Sequence, residues 1–215
     1  MRVLRYGREA ALVELDGLAE VMGLHRELSD APPPGVVEFV PAARTLLVAY
    51  DPGRTTFDSL RQALADRRGG SGTPRVEGPL VEVPVTYDGP DLAEIATLTG
   101  LTAEEVVRRH TAASYVVAFC GFAPGFAYIT GGDPALRVPR RATPRTAVPA
   151  GAVGLADDFT GVYPRTSPGG WQLLGHTDAP LWDTDRDPPA LLAPGTRVRF
   201  TDTSAAQATT AGAAS

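Results

Sequence analysis

Two runs decide the fold: Gly121-Phe-Ala-Pro-Gly-Phe-Ala-Tyr128 and Ser167-Pro-Gly-Gly-Trp-Gln-Leu-Leu-Gly-His176. Glycine and proline interrupt the apolar residues of this region every few positions, so the chain after Tyr115 has the pattern of short strands. Short, punctuated strands of this kind are typical of a closed or nearly closed β-barrel. Aromatic rings, arginines and one imidazole are also concentrated between residues 119 and 183, and we expect the functional site there.

The sequence before this region predicts a separate small domain. Strand-like and helix-like hydrophobic spacings follow one another in the order β, α, β, β, α, over residues 2–15, 18–28, 36–40, 45–50 and 57–67. This order suggests a ferredoxin-like α/β domain that ends at residue 68. The predicted fold class is therefore α+β, with a small ferredoxin-like N-terminal domain followed by a β-barrel domain.

Composition places the predicted boundaries. The run Arg68-Gly-Gly-Ser-Gly-Thr-Pro74 combines flexible and helix-breaking residues, and we predict a linker over residues 69–79. Residues 80–203 form the predicted barrel domain, which also contains two helices, the second opened by the capping-box run Thr102-Ala-Glu-Glu105. The last residues, 204–215, are small, polar and aperiodic, which predicts a disordered tail.

Charge and cysteine content exclude several classes of protein. The 215 residues include 20 basic and 25 acidic side chains, and the net charge of -5 argues against a nucleic-acid-binding protein. The single cysteine, Cys120, excludes an intrachain disulfide and fits a reducing compartment. No stretch approaches the roughly 18 apolar residues of a membrane span, and the first twelve residues lack the apolar centre of an export signal. We therefore expect a cytoplasmic protein that does not bind membranes.

An arginine-rich segment follows the first run. Prolines at positions 139, 144 and 149 prevent a continuous helix through residues 137–150, so the arginines project from a stiffened, extended backbone. Two well-placed arginines are enough to fix a carboxylate or phosphate, because each charge-assisted hydrogen bond contributes about 1.5–3 kcal/mol. A solvated basic edge or a salt-bridge patch between subunits explains the same pattern, and both interpretations stay open. The arginines are Arg137, Arg140, Arg141 and Arg145.

Few other residues carry recognisable chemistry. Phe122 and Phe126 either line a pocket over a planar ligand or pack beneath their loop. His176 ends a predicted strand beside a loop, where catalytic residues tend to lie, whereas His110 is expected to cap the carbonyls of its helix. Cys120 has the pattern of an inert buried thiol. The sequence contains neither a nucleophile elbow nor a phosphate loop, and its histidine spacing gives no metal site.

Six ordered motifs together resemble the family of the 5-oxoprolinase B subunit, also known as allophanate hydrolase subunit 1 or the kinase inhibitor KipI. The resemblance covers nearly the whole chain, and six motifs in order are highly specific. The motifs are Gly121-Phe-Ala-Pro-Gly-Phe-Ala-Tyr128, Pro139-Arg-Arg-Ala-Thr-Pro-Arg145, Val148-Pro-Ala-Gly-Ala-Val-Gly154, Thr160-Gly-Val-Tyr-Pro164, Ser167-Pro-Gly-Gly-Trp-Gln-Leu-Leu-Gly-His-Thr177 and Leu192-Ala-Pro-Gly-Thr-Arg-Val-Arg-Phe200.

The resemblance implies a fold, partners and an activity. The barrel is expected to be cyclophilin-like, and the chain is expected to form a heteromer with the C subunit, of the allophanate hydrolase subunit 2 family. Together with the A subunit, this set opens 5-oxoproline to L-glutamate as ATP is hydrolysed. ATP and Mg²⁺ are expected to bind to the assembled complex, and the chain alone is expected to be inactive.

The chemistry of that reaction suggests roles for the motif residues. Phosphorylating an amide oxygen makes a leaving group, and this step needs cations for phosphate and an anchor for the substrate carboxylate. We assign His176 and Arg145 as catalytic residues. The anion-binding and pocket-wall residues are expected to be Arg140, Arg141, Phe122, Phe126, Tyr128 and Tyr163.

Two departures and two alternatives accompany this assignment. Ala152 stands where the family usually has serine, and the residues before Tyr163 differ from the common Gln-Thr-Gly. The KipI name implies an alternative role as a binding protein that inhibits a sensor histidine kinase. The related domain pair of urea carboxylase implies a further alternative, a subunit for carboxyltransfer on allophanate or urea-type substrates.

Overall fold

The computed structural model describes residues 1–67, 70, 72–76 and 78–203. The chain divides into two compact units, Met1–Arg75 and a second unit that begins at Val76. The predicted linker over residues 69–79 lies partly outside the described residues, and the predicted disordered tail over residues 204–215 lies wholly outside them. Within the described part of the chain, no helix combines the length and apolar character needed to cross a membrane.

Four strands and two helices make up the described part of the first unit. In chain order they are β1 (Arg2–Tyr6), β2 (Ala10–Glu14), α1 (Leu18–Asp30), β3 (Val36–Pro41), β4 (Thr45–Tyr50) and α2 (Phe57–Ala65). Alternate residues of β2 and β4 are buried, and both helices bury their apolar faces in the same core. The Thr56 hydroxyl accepts a hydrogen bond from the Ser59 N–H and so caps α2.

The sheet of the first unit confirms the ferredoxin-like prediction with one rearrangement. Its strand order is β1-β2-β4-β3, and every neighbouring pair is antiparallel. A β-α-β-β-α-β chain would supply the edge strand beside β2 after its second helix. Here β1, at the start of the chain, takes that place, so α2 is the last element of the unit.

The described residues of the second unit form nine strands and three short helices. They are β5 (Leu80–Val85), α3 (Leu92–Thr99), α4 (Ala103–Ala112), β6 (Tyr115–Cys120), β7 (Ala127–Thr130), the 3₁₀ helix α5 (Pro134–Leu136), β8 (Arg145–Val148), β9 (Ala152–Ala156), β10 (Phe159–Val162), β11 (Ser167–Gly169), β12 (Gln172–His176) and β13 (Arg197–Asp202). Strands β8 and β11 form a separate two-stranded ribbon.

Seven strands form the barrel in the order β12-β9-β10-β7-β6-β13-β5. Thr86, directly after β5, exchanges two backbone hydrogen bonds of 2.8 and 2.9 Å with His176 on β12, which joins the two edges of the sheet. The only parallel pair among these seven described strands is β13 with β5. This architecture confirms the predicted cyclophilin-like barrel fold, and the edge closure brings His176 next to the loop after β5.

The prediction for His110 was wrong. Its side chain is fully buried in the barrel rather than capping α4. Its Nδ1 lies 2.7 Å from the Tyr87 hydroxyl, and its ring lies 4.5 Å from the ring of Phe200. Desolvation lowers the pKa of His110 to about 3, because an imidazolium in this apolar surrounding would lose its hydration. His110 is therefore a neutral core residue at neutral pH.

We predict that this buried imidazole makes the second unit sensitive to mild acid. The unfolded chain takes up a proton near the ordinary pKa of about 6.5, and the folded chain does so only near pH 3, so unfolding is favoured as pH falls below 6.5. Between pH 7.5 and 5, His110 should account for a loss of about 2 kcal/mol in the free energy of unfolding.

Urea unfolding of the wild-type chain and of His110→Gln at both pH values measures this contribution. The variant should lose less stability on acidification than the wild type. NMR signals of the His110 ring should also stay constant over the same pH range in the folded wild type. A ring signal that titrates near pH 6.5 would contradict the prediction.

Candidate functional site

A buried carboxylate organises the arginine segment. The side chain of Asp91, directly before α3, is 3% exposed and accepts two hydrogen bonds from Arg145, at 2.8 and 2.6 Å. Arg141 donates to the same carboxylate at 2.8 Å and to Glu94 at 3.1 Å, and the Leu173 N–H donates at 2.7 Å. Two guanidinium groups thus face two carboxylates, which balances the charge of this group, called here the Asp91 cluster.

The Asp91 carboxyl is held in its ionised form by the other groups of the Asp91 cluster. Burial alone would raise the pKa of Asp91, but the hydrogen bonds from Arg145 and Leu173 and the charges of both arginines hold it below its ordinary value. The hydrogen bond to Asp91 in turn raises the pKa of Arg145. Three donors and a desolvated position make this a buried ion pair of the kind that is costly to break.

The four arginines of the segment therefore differ in role. Arg141 and Arg145 are held by Asp91, and exposed Arg137 lies 3.3 Å from Asp158. Arg140 is exposed, and no acid within the described residues forms an ion pair with it. Its positive charge acts instead on two tyrosines, since it opposes the rise that burial causes in the pKa of Tyr128 and Tyr163. Arg140 is thus the arginine best placed to receive an added anion.

His176 and Arg145 line one cavity of about 390 Å³, called here the His176 cavity. The His176 ring is half exposed, and its Nδ1 lies 2.8 Å from the Asp88 carboxylate. A carboxylate only accepts hydrogen bonds, so Nδ1 must carry the proton, which leaves Nε2 as the free nitrogen. Prolines and alanines, among them Ala152, form most of the remaining wall.

The predicted aromatic residues form a second surface, called here the aromatic cluster. Phe126 is buried at its centre and makes edge-to-face contacts with Phe122, Tyr128, Tyr163 and Trp171, with ring centroids 5.2–5.4 Å apart. Phe126 therefore packs beneath the loop, which is one of the two roles that the sequence allowed. Tyr128 is half buried, and Tyr163 is buried.

Two glycines explain why the aromatic motifs occur together. A Cβ on Gly161 would lie 2.8 Å from the Trp171 ring and 3.0 Å from that of Phe126. A Cβ on Gly169 would overlap the hydroxyl of Tyr163. Aromatic rings from three of the six motifs therefore pack directly against glycines from two of them. A side chain at either glycine would displace a ring, so the motifs depend on one another.

Phe122 is held in an unusual conformation at the edge of the aromatic cluster. Its φ is 70°, in the left-handed region that a bulky residue rarely adopts, and its side chain is 58% exposed. Backbone hydrogen bonds from Ala123 to Gly121 and from Gly121 to Phe126 close the loop around it. Strained residues persist where the surrounding structure fixes them, and they concentrate at functional sites.

The structure brings the predicted site residues together in two groups. His176 and Arg145 share the His176 cavity, whereas Phe122, Phe126, Tyr128 and Tyr163 share the aromatic cluster with the charge of Arg140 beside them. Arg141 lies in the Asp91 cluster. Sequence reasoning missed the roles of Asp88 and Asp91. Their pairing with residues 50 to 88 positions away left no local signal.

The rest of the described chain offers little alternative chemistry. Burial raises the pKa of Cys120 to about 11, and its thiol donates to the Leu192 carbonyl oxygen at 3.3 Å, so it is a poor nucleophile. No group of three or more histidine, cysteine, aspartate or glutamate side chains is arranged to hold a metal ion in residues 1–67, 70, 72–76 and 78–203.

Comparison with known proteins identifies relatives along most of the chain. The family model "Carboxyltransferase domain, subdomain C and D" matches residues 1–192. A protein of Escherichia coli O157:H7, named as the B subunit of 5-oxoprolinase, is 44% identical over 171 residues, which is 78% of each chain. A Bacillus subtilis protein of the same name is 36% identical over 212 residues, 92% of this chain and 87% of the relative.

A solved structure shows the same fold within a longer chain. The crystal structure of TTHA0988 is 38% identical, with a TM-score of 0.71 over 90% of this chain. This chain covers only 39% of the length of TTHA0988.

We predict that removing the buried Asp91 carboxylate destabilises the second unit by about 3–5 kcal/mol, because it leaves the partly buried Arg145 without its acid and Arg141 with Glu94 alone. Glu94→Ala, which removes an exposed partner of Arg141, is the matched control and should cost about 1 kcal/mol or less. Urea unfolding of Asp91→Ala and Glu94→Ala at pH 7 tests this difference, and equal losses would contradict it.

We also expect the Asp91 cluster to contribute less to the free energy of unfolding at low pH. The folded pKa of Asp91 is depressed, so its contribution is complete above its ordinary value of about 4 and is lost as pH falls through the lower folded value. The stability gap between wild type and Asp91→Ala should therefore narrow at low pH.

Proposed function

This chain belongs to the family of carboxyltransferase domains, subdomains C and D, and we propose that it is the B subunit of an ATP-dependent 5-oxoprolinase. The observation that carries the proposal is its 44% identity, over 78% of both chains, to a protein named as the B subunit of 5-oxoprolinase. In the proposed assembly it acts in the cytoplasm with the A and C subunits, and it is inactive alone.

The His176 cavity supplies a proton-transfer group. Asp88 orients the ring, while Nε2 is free to accept a proton from a group bound in the cavity. The mostly apolar wall strengthens the polar contacts of that group. We assign His176 the proton transfer that accompanies ring opening.

The arginines supply charge in two different ways. Arg140 is the exposed guanidinium, and we assign it the binding of a phosphate or of the substrate carboxylate. Arg145 already donates to Asp91 with both terminal nitrogens, so its part is to fix the cavity wall and its positive potential. We place Arg141 with it in this positioning role.

ATP and Mg²⁺ fit this chain only in part. Arg140 suits a phosphate group, and exposed Phe122 offers a ring face to a planar base. The sequence contains no phosphate-binding loop, and the part described by the structure contains no cluster of acids for a metal. Bound ATP would supply an activating phosphoryl group, and we propose that its main binding site lies on the partner subunits.

We predict that His176→Asn lowers the turnover of 5-oxoproline by about 100-fold or more in the complex reconstituted with the A and C subunits. Arg140→Ala should weaken the binding of ATP or 5-oxoproline by about tenfold or more, because one charge-assisted hydrogen bond is lost. Arg199→Ala, which removes an exposed arginine paired with Glu82 on β5, is the matched control.

The measurement is 5-oxoproline-dependent release of ADP, together with thermal unfolding of each variant. Wild-type turnover by His176→Asn would overturn the assignment of proton transfer. If the wild-type chain gives no 5-oxoproline-dependent ADP release in any combination with its two proposed partners, the proposed function itself is wrong.

A further inference from the structure

The four-stranded sheet of the first unit has apolar residues on both of its faces. Alternate residues of the central strands β2 and β4 lie in the core beneath the two helices. The residues between them point to the opposite face, called here the open face. An antiparallel sheet with one solvated face normally carries polar residues there, so an apolar open face indicates a second surface to be buried. On β2 and β4 the open-face residues are Ala10, Leu12, Glu14, Thr45, Leu47 and Ala49.

One apolar row crosses all four strands of the open face. The register places Leu4 beside Leu12, Leu12 beside Leu47, and Leu47 beside Val40. The residues directly before Leu4 and Val40 both pack against the core, which puts Leu4 and Val40 on the open face. The three leucines are partly exposed, and Val40 is 39% exposed. A contiguous apolar patch of this kind marks an interaction surface.

Polar groups border the apolar row on both sides. On one side, Arg2 donates to Glu14 Oε2 at 2.6 Å, and Thr45 lies beside Glu14 on β4. On the other side, Tyr6 and Glu38 stand at the two ends of the next cross-strand row, and Tyr6 is 60% exposed. An apolar centre with a polar rim is the usual arrangement of a protein–protein interface.

We propose that the open face is the interface of a symmetric dimer of this chain. A two-fold axis parallel to the strands, midway between β2 and β4, puts β2 opposite β4 of the second copy and β1 opposite β3 of the second copy. Sheets that pack face to face in this way lie about 10 Å apart, which is the reach of two facing side chains. Leu12 then contacts Leu47 of the second copy, and Leu4 contacts Val40 of the second copy.

The polar groups of the open face are complementary under the same two-fold axis. Tyr6 comes opposite Glu38 of the second copy, so its hydroxyl can donate to that carboxylate. Thr45 comes opposite Glu14 of the second copy, where Oε1 can accept because Arg2 uses Oε2. Each contact occurs twice, and one chain supplies both of its members. This self-complementarity is the reason for assigning the open face to a second copy.

The size of the open face sets the expected strength of the dimer. Four strands about 4.8 Å apart and five residues of about 3.4 Å each give a face of roughly 19 by 17 Å. Burying it in both copies removes on the order of 1,000 Å² from water, at the small end for specific interfaces. We therefore expect dissociation in the micromolar range. The dimer goes beyond the proposed function, whose residues all lie in the second unit.

Sedimentation velocity of the full chain from about 1 to about 200 μM should show a monomer that converts to a dimer as its concentration rises. Tyr6→Ala should weaken the dimer by about tenfold or more, because it removes a contact at the rim without touching the core. A wild-type chain that stays monomeric over this range overturns the proposal. That outcome includes the case in which the open face binds the proposed C subunit instead, which Leu12→Glu would reveal by loss of that complex.

Two further variants test the pairing of β2 with β4 of the second copy. Leu12→Glu and Leu47→Lys each bury an unpaired charge twice in the dimer, so each should be monomeric when alone. An equimolar mixture should form a heterodimer, because the introduced carboxylate then faces the introduced ammonium group and the two unchanged leucines face each other. Absence of this rescue overturns the two-fold pairing.

Leu98→Glu is the matched control for these variants. Leu98 is an exposed leucine on α3 of the second unit, so the same change there should leave the dimer unchanged. Thermal unfolding of each variant reports whether the chain is still folded. If either of the two charged variants unfolds, Tyr6→Ala decides the question, and an unchanged dimer in Tyr6→Ala would contradict the proposed interface.

Discussion

The buried carboxylate of Asp91 is the interaction on which the second unit depends. It joins the start of α3 to the arginine segment and to β12, which lie 50 to 82 residues further along the chain. Proline removes backbone hydrogen-bond donors from the arginine segment. Side-chain hydrogen bonds must therefore fix much of the backbone that the hydrogen bonds of a sheet would otherwise fix. Because two arginines converge on Asp91, their neighbour Arg140 remains exposed beside the aromatic cluster.

A rigid frame of this kind suits a site that must hold strained groups. Phe122 is fixed in the left-handed region above Phe126, and the rings beneath it press on glycines that leave them no room to move. Closure of the barrel by Thr86 and His176 likewise fixes the position of the imidazole relative to Asp88. Both candidate surfaces therefore take their geometry from packing inside the barrel rather than from flexible loops.

Local sequence patterns predicted the strands and helices of this fold better than they predicted which residues contact one another across it. Strand alternation and helical spacing placed β3, β4 and both helices of the first unit, because each pattern arises from one buried face. The buried role of His110 was missed, because position at a helix end says nothing of the core that packs against it. The capping box was half correct: Thr102 caps α4, but the Glu105 carboxylate accepts from Arg108 and Arg109. Asp91 shows the same limit, since its partners are set by tertiary structure.

The charged groups of this chain bear on which steps of the proposed reaction belong to it and which belong to its proposed partners. An imidazole with an orienting carboxylate and one exposed guanidinium can move a proton and hold an anion. Phosphoryl transfer also requires several cationic or metal contacts to phosphate oxygens, and among the four arginines of the arginine segment only Arg140 has no acidic partner in the described residues. This division of charge matches the proposed composite site, in which this protein positions the amide and a partner supplies the phosphate contacts.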